Sequence, residues 1–294
     1  MRSGPAVVLM LCLLLPACSS LPKFPAVYLD MDGTVLGPDH RVRPATVEAL
    51  EEYRRCGGRV GIATGRSLVQ VREYLADVRP NLPLVLFNGA AIFSHDGSEV
   101  IESFLLAPEI IRDVASAART SPDVQGVVVQ GLEVTLLDRD DEQVRRLMEK
   151  GSLPPDRIVE SVDELAVANA VKVMLFVQAD RIDAVRDRIA ARVAGRANTV
   201  VSSPLTIEIL PFGVTKGDSV NRALGLVGID ASDAVRFGDS GNDVEMLAGP
   251  GPGFAMGNCR PEACKAALLT IGKNDSDAIA DVIRKVVSGP GCPR

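Results

Sequence analysis

The chain has few of the side chains on which several classes of function depend. Its 294 residues include two histidines, His40 and His95, no tryptophan, and 4% aromatic residues. Two histidines are too few for a multi-histidine zinc site, and a Ser-His-Asp triad would have to use one of them. Scarce aromatic residues disfavour a platform on which nucleic-acid bases stack. The expected chemistry is therefore that of carboxylates and an oxygen-ligated metal ion.

The chain also has fewer positively than negatively charged side chains. Lysine and arginine total 32 against 38 aspartate and glutamate residues, which gives a net charge of −6, and no run of basic residues occurs. Nucleic-acid binders usually carry a basic face or stripe. We therefore predict no nucleic-acid partner.

The N-terminus carries an apolar run at residues 6–15, behind Arg2. Ten residues are too few to span a bilayer as a helix, which needs about 20, but they suit the core of a signal peptide. Leu15-Pro16-Ala17-Cys18 resembles a bacterial lipoprotein box, although Pro16 stands where a small residue is usual. Two alternatives stay open, an exported lipoprotein anchored through Cys18 and a cytoplasmic enzyme with an apolar extension. Membrane contact is expected only for the first.

The other cysteines favour the cytoplasmic alternative. Cys56, Cys259, Cys264 and Cys292 show no metal-ligand spacing, and Cys259 and Cys264 lie five residues apart in a stretch that resembles a helix. We predict scattered thiols rather than a disulfide framework.

From Phe24 onward, short apolar runs alternate with amphipathic segments. This pattern predicts an α/β fold with a Rossmann-like, mainly parallel sheet and helices on both faces. The predicted strands are Ala26–Leu29, Arg59–Ala63, Leu84–Phe87, Ala234–Phe237 and Phe254–Met256. The predicted helices are Pro44–Arg55, Ser67–Val78, Lys216–Leu226 and Asp243–Ala248, followed by two further helical segments.

The alternation changes in the middle of the chain. Helical segments at Pro108–Arg119, Asp140–Lys150 and Arg181–Ala194 are interspersed with strand pairs, a regular α+β block that is too long for a loop. We predict an inserted α+β domain at residues 93–206. Residues 23–92 and 207–294 then form the core, and residues 1–22 form the N-terminal extension.

Four polar clusters follow core strands or open core helices. They are Asp30-Met31-Asp32-Gly33-Thr34, Thr64-Gly65-Arg66, Thr215-Lys216-Gly217 and Gly238-Asp239-Ser240-Gly241-Asn242-Asp243. Ligands of open parallel sheets bind outside the carboxyl ends of the strands, so these clusters are expected to converge. Taken singly, each cluster has an ordinary explanation as a turn or a solvated helix start. Their order and their placement after strands together favour a functional site.

The chemistry of the clusters is that of phosphoryl transfer. Asp30, Asp32 and Asp239 supply the hard oxygen ligands that Mg²⁺ prefers. Thr64, Lys216 and backbone N–H groups at helix starts suit phosphate oxygens. Of two carboxylates beside a metal, one can attack phosphorus and the other can handle the proton.

These clusters together resemble the haloacid dehalogenase superfamily of phosphatases, and more narrowly its Cof-type subfamily (subclass IIB). Further marks of that subfamily are Asn88-Gly89-Ala90, Glu208-Ile209, Gly213-Val214-Thr215-Lys216-Gly217 and Ala255-Met256-Gly257-Asn258. The match covers nearly everything from Phe24 to Val287.

The resemblance implies a role for each matched residue. Asp30 would be the nucleophile and a magnesium ligand, and Asp32 the general acid and base, with its backbone carbonyl on the metal. Asp239 would complete the metal site, with Asp243 supporting it. The phosphate would be bound by the Met31 amide, Thr64, Gly65, Lys216 and Asn242.

The implied function is a Mg²⁺-dependent phosphatase that hydrolyses a small phosphorylated metabolite through an aspartyl-phosphate. The inserted domain would be a cap over the site. Its few aromatic residues, Phe104 and Phe176, and its Arg- and Asp-rich helices suggest a polar, sugar-like substrate. His95 and Arg66 are each ambiguous between the edge of the site and the surface. The alternatives are a phosphomutase-type phosphotransferase and a non-catalytic protein that binds a phosphorylated metabolite. Relatives mostly work in the cytoplasm, which is the expected location.

Overall fold

The computed structural model describes residues 22–166 and 169–288. The predicted apolar run and Cys18 lie outside these residues. Within the described part of the chain, no helix is both long and apolar enough to cross a membrane.

The described residues form fourteen strands and eleven α-helices. The strands are β1 (Ala26–Leu29), β2 (Arg59–Ile62), β3 (Leu84–Leu86), β4 (Ala91–Phe93), β5 (Val100–Ser103), β6 (Val124–Gly131), β7 (Thr135–Leu137), β8 (Arg157–Ile158), β9 (Ala170–Val177), β10 (Ala197–Ser203), β11 (Thr206–Pro211), β12 (Ala234–Gly238), β13 (Gly253–Ala255) and β14 (Leu269–Thr270). The helices are α1 (Pro44–Arg55), α2 (Leu68–Val71), α3 (Leu75–Val78), α4 (Pro108–Arg119), α5 (Glu142–Lys150), α6 (Val162–Leu165), α7 (Ile182–Val193), α8 (Lys216–Leu226), α9 (Val244–Leu247), α10 (Pro261–Ala266) and α11 (Ala278–Val282).

The core is a five-stranded sheet in the order β14-β13-β12-β1-β2, in which every neighbouring pair is parallel. Side chains alternate along β1. Val27 and Leu29 pack with the apolar faces of α1 and α11, and Ala26 and Tyr28 pack with those of α8 and α9. Helices therefore cover both faces of a parallel sheet, which confirms the predicted α/β class.

Three helices begin and end at the predicted residues, α1, α4 and α8. The helix predicted at Ser67–Val78 is instead interrupted by a 3₁₀ turn at Arg72–Tyr74, which separates α2 from α3. Arg66 donates to the carbonyl of Gln70 at 3.4 Å. An uninterrupted helix would offer that carbonyl to the N–H of Tyr74, so a side-chain donor competes with the helix.

A six-stranded sheet in the order β10-β11-β9-β6-β7-β8 lies in the middle of the chain. All of its pairs are antiparallel except β7 and β8. One face packs against α4, α6 and α7, and the other packs against α5. Together with its helices, this sheet is the α+β architecture expected of a cap domain.

A three-stranded antiparallel sheet, β3-β4-β5, lies beside the core and includes β4, which was not predicted. A parallel bridge between Ala63 and Val85 joins it to the end of β2. The strand β11 lies within the six-stranded sheet. The division of the chain at residues 93 and 206 stays a prediction.

The prediction of scattered thiols is wrong for Cys56, Cys259 and Cys264, which are all disulfide-bonded. Cys259 and Cys264 form a disulfide with each other, with their Cα atoms 5.6 Å apart. Cys259 lies in the turn before α10 and Cys264 lies in the helix, where its N–H donates to the carbonyl of Arg260 at 2.9 Å. This helical turn brings two residues five apart within the range that a disulfide can bridge.

Candidate active site

Three adjacent core strands end at the same edge of the sheet. Asp30 follows β1, Asp239 follows β12, and Thr64 lies two residues beyond β2. Because β12, β1 and β2 are neighbours and parallel, their carboxyl ends meet. A cavity of about 420 Å³ opens here, and its lining comes from three of the four predicted clusters, from the six-stranded sheet, and from Gln70, Asn88 and Leu153. The cluster and sheet residues are Asp30, Asp32, Gly33, Thr64, Gly65, Arg66, Lys172, Met174, Ser202, Glu208, Asp239, Ser240 and Asn242.

Lys216 is the buried cation of the site. It is the first residue of α8, a helix capped by the Thr215 side chain, and its side chain is fully buried. Its Nζ donates to Asp30 Oδ1 at 2.7 Å and to Asp243 Oδ1 at 2.6 Å. Burial lowers the pKa of Lys216, but the charges of Asp243 and Asp30 outweigh that effect and raise it above its usual value. Lys216 is therefore charged, and it holds two carboxylates in place.

Three carboxylates, those of Asp30, Asp239 and Asp243, each place an oxygen within 4.8 Å of the others. Burial raises the pKa of Asp30 well above its usual value, the charge of Asp243 raises it further, and Lys216 offsets part of the effect. Burial and then the charge of Asp243 raise the pKa of Asp239 to about 6. Burial is the main cause of both pKa shifts, and the charge of Asp243 adds to each. Three carboxylates beside one lysine leave the cluster with more negative charge than that lysine neutralises. Clustered carboxylate oxygens with unbalanced negative charge fit a hard divalent cation.

Asp243 differs from the other two carboxylates because contacts with the protein occupy both of its oxygens. Oδ1 accepts from Lys216, and Oδ2 accepts from the backbone N–H groups of Asp239 and Ser240, each at 3.0 Å. Asp243 therefore shapes the loop that carries Asp239 and orients Lys216.

The loops after β1 and β12 touch at Gly33. A Cβ on Gly33 would lie 2.4 Å from Asp239 Oδ2, and its φ of +79° is one that glycine adopts without strain. Thr34 Oγ1 donates to Asp239 Oδ1 at 3.1 Å, and Asn258 Nδ2 donates to the Gly33 carbonyl at 2.8 Å. Glycine at position 33 allows the Asp30 loop to approach the Asp239 carboxylate this closely.

Asp32 lies at the mouth of the cavity with its side chain about half exposed. Arg66 donates to both of its oxygens, from Nε to Oδ2 and from Nη2 to Oδ1, each at 2.7 Å. The guanidinium also stacks over the Tyr74 ring at 5.2 Å. Burial lowers the pKa of Arg66, but the hydrogen bonds and charge of Asp32 raise it above its usual value. Arg66, which the sequence left ambiguous, is therefore a neighbour of the site.

The remaining predicted residues occupy several places. Thr64 is buried and lines the cavity. The Met31 side chain packs in the core, which leaves its backbone amide for the predicted contact with phosphate. Asn242 donates to Asn88 Oδ1 at 2.8 Å. His95 is exposed in the turn between β4 and β5 and does not line the cavity.

A chain of polar contacts that sequence reasoning missed links the six-stranded sheet to the core. Lys172 Nζ donates to the Gly65 carbonyl at 3.0 Å and to Glu208 Oε1 at 3.1 Å, and Asn88 Nδ2 donates to Glu208 Oε2 at 2.6 Å. Asn88 adopts a left-handed conformation, φ 57°, that asparagine tolerates better than most residues. The signal for Lys172 was present, since it is the one charged residue in the otherwise apolar strand β9.

A family model described as haloacid dehalogenase-like hydrolase matches residues 27–283. The chain therefore belongs to the haloacid dehalogenase-like hydrolases, and the resemblance drawn from its motifs, including the Cof-type subfamily, is confirmed.

Two relatives of similar sequence carry different enzyme names. The chain is 30% identical over 274 residues to a chloroplastic endoribonuclease YBEY of Arabidopsis thaliana, covering 89% of this chain and 46% of the relative, so it spans about half of that protein. It is 29% identical over 265 residues to an HMP-PP phosphatase of Cronobacter sakazakii, covering 89% of this chain and 95% of the relative.

Solved structures share the fold. A haloacid dehalogenase-like hydrolase from B. subtilis has a TM-score of 0.79 at 20% identity, covering 90% of this chain and all of the other. A sugar phosphatase of subclass IIB has a TM-score of 0.78 at 23% identity, covering 88% of this chain and 97% of the other.

Proposed function

We propose that this hydrolase is a Mg²⁺-dependent phosphatase that acts on the phosphate monoester of a small metabolite, sugar phosphates included, through an aspartyl-phosphate on Asp30. The observation that carries the proposal is the contact of Lys216 with Asp30, beside the carboxylate of Asp239. The names of the Cronobacter phosphatase and of the sugar phosphatase with a similar fold agree with this class of reaction.

The proposed reaction has two steps. A carboxylate oxygen of Asp30 attacks phosphorus, the bond from phosphorus to the alcohol oxygen breaks, and Asp32 gives its proton to that oxygen. A water molecule then attacks the phosphorus of the aspartyl-phosphate and loses a proton to Asp32. The bond from phosphorus to Asp30 breaks, and inorganic phosphate leaves with the Asp30 carboxylate regenerated.

The residues around Asp30 stabilise the transferring group. Lys216 brings a fixed positive charge to the reacting carboxylate, and Thr64, Gly65, Asn242 and the Met31 amide bind phosphate oxygens. Asp30, Asp239 and the Asp32 carbonyl would hold the Mg²⁺, with Asp243 supporting them. When bound, this ion supplies positive charge that offsets the clustered carboxylates and the phosphate.

The segment at residues 93–206 is proposed as the cap. Two contacts support this role: Lys172 with the Gly65 carbonyl, and Gln70 Nε2 with the Gly151 carbonyl at 2.6 Å. Both join the segment to the loop and helix that follow β2. A cap held there excludes water from the site and selects the leaving group.

The test is hydrolysis of p-nitrophenyl phosphate with and without Mg²⁺. Activity is expected with the ion and is expected to disappear in Asp30→Asn, because an amide is a poor nucleophile. The matched control is Asp187→Asn, an exposed change on α7, the helix on the far face of the six-stranded sheet. Unchanged turnover in Asp30→Asn would remove Asp30 as the nucleophile. Binding of phosphorylated metabolites without release of inorganic phosphate would favour a binding protein or a mutase.

A further inference from the structure

The face of the six-stranded sheet that meets the core changes from charged to apolar along β9. Lys172, Met174 and Phe176 share this face, because side chains alternate along a strand, and each step of two residues advances by about 7 Å. Val173, Leu175 and Val177 lie on the opposite face, packed with α4 and α7. Lys172 contacts the loop that holds Thr64 and Gly65, so the apolar end points away from the phosphate site.

The strands on either side continue this gradient. In β11, Glu208 is paired with Met174 and Thr206 with Phe176. In β6, Val128 is paired with Met174 and Gly126 with Phe176. Past Lys172 and Glu208, these three strands present no charged side chain on this face.

A second cavity, of about 210 Å³, lies at the apolar end and shares Gln70, Leu153 and Met174 with the site cavity. We call its apolar lining residues the apolar annex: Leu147, Met148, Leu153, Met174, Phe176 and Leu205. An apolar cavity of about 150 Å³ is large enough to hold benzene. The cavity that the annex lines therefore has room for one six-membered ring.

A third cavity, of about 690 Å³, borders the site through Asp32, Arg66 and Gln70, and charged residues such as Asp39, Glu73 and Lys150 line it. The doubly hydrogen-bonded pair of Arg66 and Asp32 stands between it and the site. Leu153 and Met174, in contrast, line the site cavity itself. A leaving group in the site cavity therefore meets the apolar annex without displacing an ion pair.

We infer that the leaving group of the substrate carries an aromatic or heteroaromatic ring, which the apolar annex binds while the phosphate lies at Asp30. This inference rests on the proposed phosphatase function and narrows its substrate class. The ring packs against the buried side chains of Leu153 and Phe176 and covers the partly exposed Met174, whose thioether contacts the ring edge. The polar side chains of this cavity are Gln70, Ser203 and Thr206, too few to satisfy every hydroxyl group of a polyhydroxylated ring.

The test compares benzyl phosphate with glucose 6-phosphate, two esters with a six-membered ring on a CH₂–O–P group. The kcat/KM for benzyl phosphate is expected to exceed that for glucose 6-phosphate by about ten-fold or more. Met174→Gln, which makes the annex more polar at similar volume, is expected to remove this preference by lowering kcat/KM for benzyl phosphate more than for glucose 6-phosphate. Met174→Leu is expected to keep it.

The matched control is Leu268→Gln, at a residue that lies just before the edge strand β14 and is 72% exposed. This variant is expected to leave kcat/KM unchanged for both esters. A wild-type preference for glucose 6-phosphate, or an equal loss of both activities in a folded Met174→Gln, would overturn the inference and leave the phosphatase standing. If the protein hydrolysed none of the three esters, benzyl phosphate, glucose 6-phosphate and p-nitrophenyl phosphate, the proposed function would be overturned instead. The wild-type comparison decides the inference even if a variant does not fold.

Discussion

The core side of the cleft and the side formed by the six-stranded sheet differ in how their charged groups are paired. On the core side, Lys216 bridges two carboxylates at 2.6 and 2.7 Å, and the Asp243 carboxylate also accepts two backbone N–H groups. On the other side, Lys172 and Glu208 form one buried pair, and apolar side chains follow it. Where charges face one another in several directions, each group is held by several partners. Beyond the pair of Lys172 and Glu208, apolar packing rather than charge holds the side chains.

The largest expected effect follows from removing the cation on the core side. Lys216→Met leaves Asp30 and Asp243 buried without a positive partner, which should lower the free energy of unfolding by about 3–5 kcal/mol. Turnover of p-nitrophenyl phosphate should fall by at least about 10³-fold. Urea unfolding and steady-state kinetics measure the two effects.

The matched control is Lys285→Met, which breaks an exposed pair with Asp281 at 3.3 Å and should change stability by less than about 1 kcal/mol. Adding Asp243→Asn to Lys216→Met should restore part of the lost stability, because it removes one of the two unpaired carboxylates. Equal stability of Lys216→Met and Lys285→Met would contradict the account of the core side.

A smaller effect is expected at the contact between the two core loops. Gly33→Ala places a Cβ 2.4 Å from Asp239 Oδ2, so either the Asp30 loop or the Asp239 carboxylate must move and the two must separate. A displacement of this kind should lower kcat/KM by about 100-fold. Kinetics at several Mg²⁺ concentrations should show weaker binding of Mg²⁺, with half-maximal activity at a higher Mg²⁺ concentration.

Gly228→Ala separates crowding from backbone strain, because Gly228 has a similar φ of +71° but has no atom within 4 Å of its Cβ position. This control should cost about 1 kcal/mol of stability and leave kcat/KM unchanged. The same kinetic loss in both variants would show that strain, rather than the close approach to Asp239, sets the requirement for Gly33.

The smallest effect is expected on the side of the six-stranded sheet. The double variant Lys172→Met/Glu208→Gln replaces the whole buried pair, which is often close to neutral for stability. Loss of the bond from Lys172 to the Gly65 carbonyl should lower kcat/KM by about ten-fold, mainly through KM, because phosphate binding is less well ordered. A fall in kcat as large as that of Lys216→Met would mean that Lys172 acts on the reacting groups, and the contrast between the two sides would fail.

Much of the core was predictable because its signals are local. Pro44 begins α1 and the Gly57-Gly58 pair follows its end, and the amphipathic spacing between them marks its length. Asp30 and Asp239 each follow a buried strand, and parallel strands bring their ends to one edge. The proximity of these two side chains therefore followed from the order of strands and polar clusters.

Other features depended on contacts that no local pattern encodes. Lys172 contacts Gly65, 107 positions earlier in the chain, and its strand could have buried that lysine against many partners. The same holds for Arg66, which pairs with Asp32 across 34 positions and also donates to the Gln70 carbonyl beside the interrupted helix. The disulfide between Cys259 and Cys264 was missed because a spacing of five residues does not reveal the turn that brings the two Cα atoms together.

By itself, the amino-acid sequence determined the α/β class, the carboxylates and lysine of the site, and the membership in the hydrolase family. These depend on the spacing of apolar residues and on which side chains follow each strand, both of which are set over a few residues. Only the tertiary structure decided which groups surround Asp32, how the six-stranded sheet meets the core, and where an apolar cavity joins the site. Those outcomes arise from packing between segments far apart in the chain, where many arrangements satisfy the same local pattern and the complete set of contacts selects one.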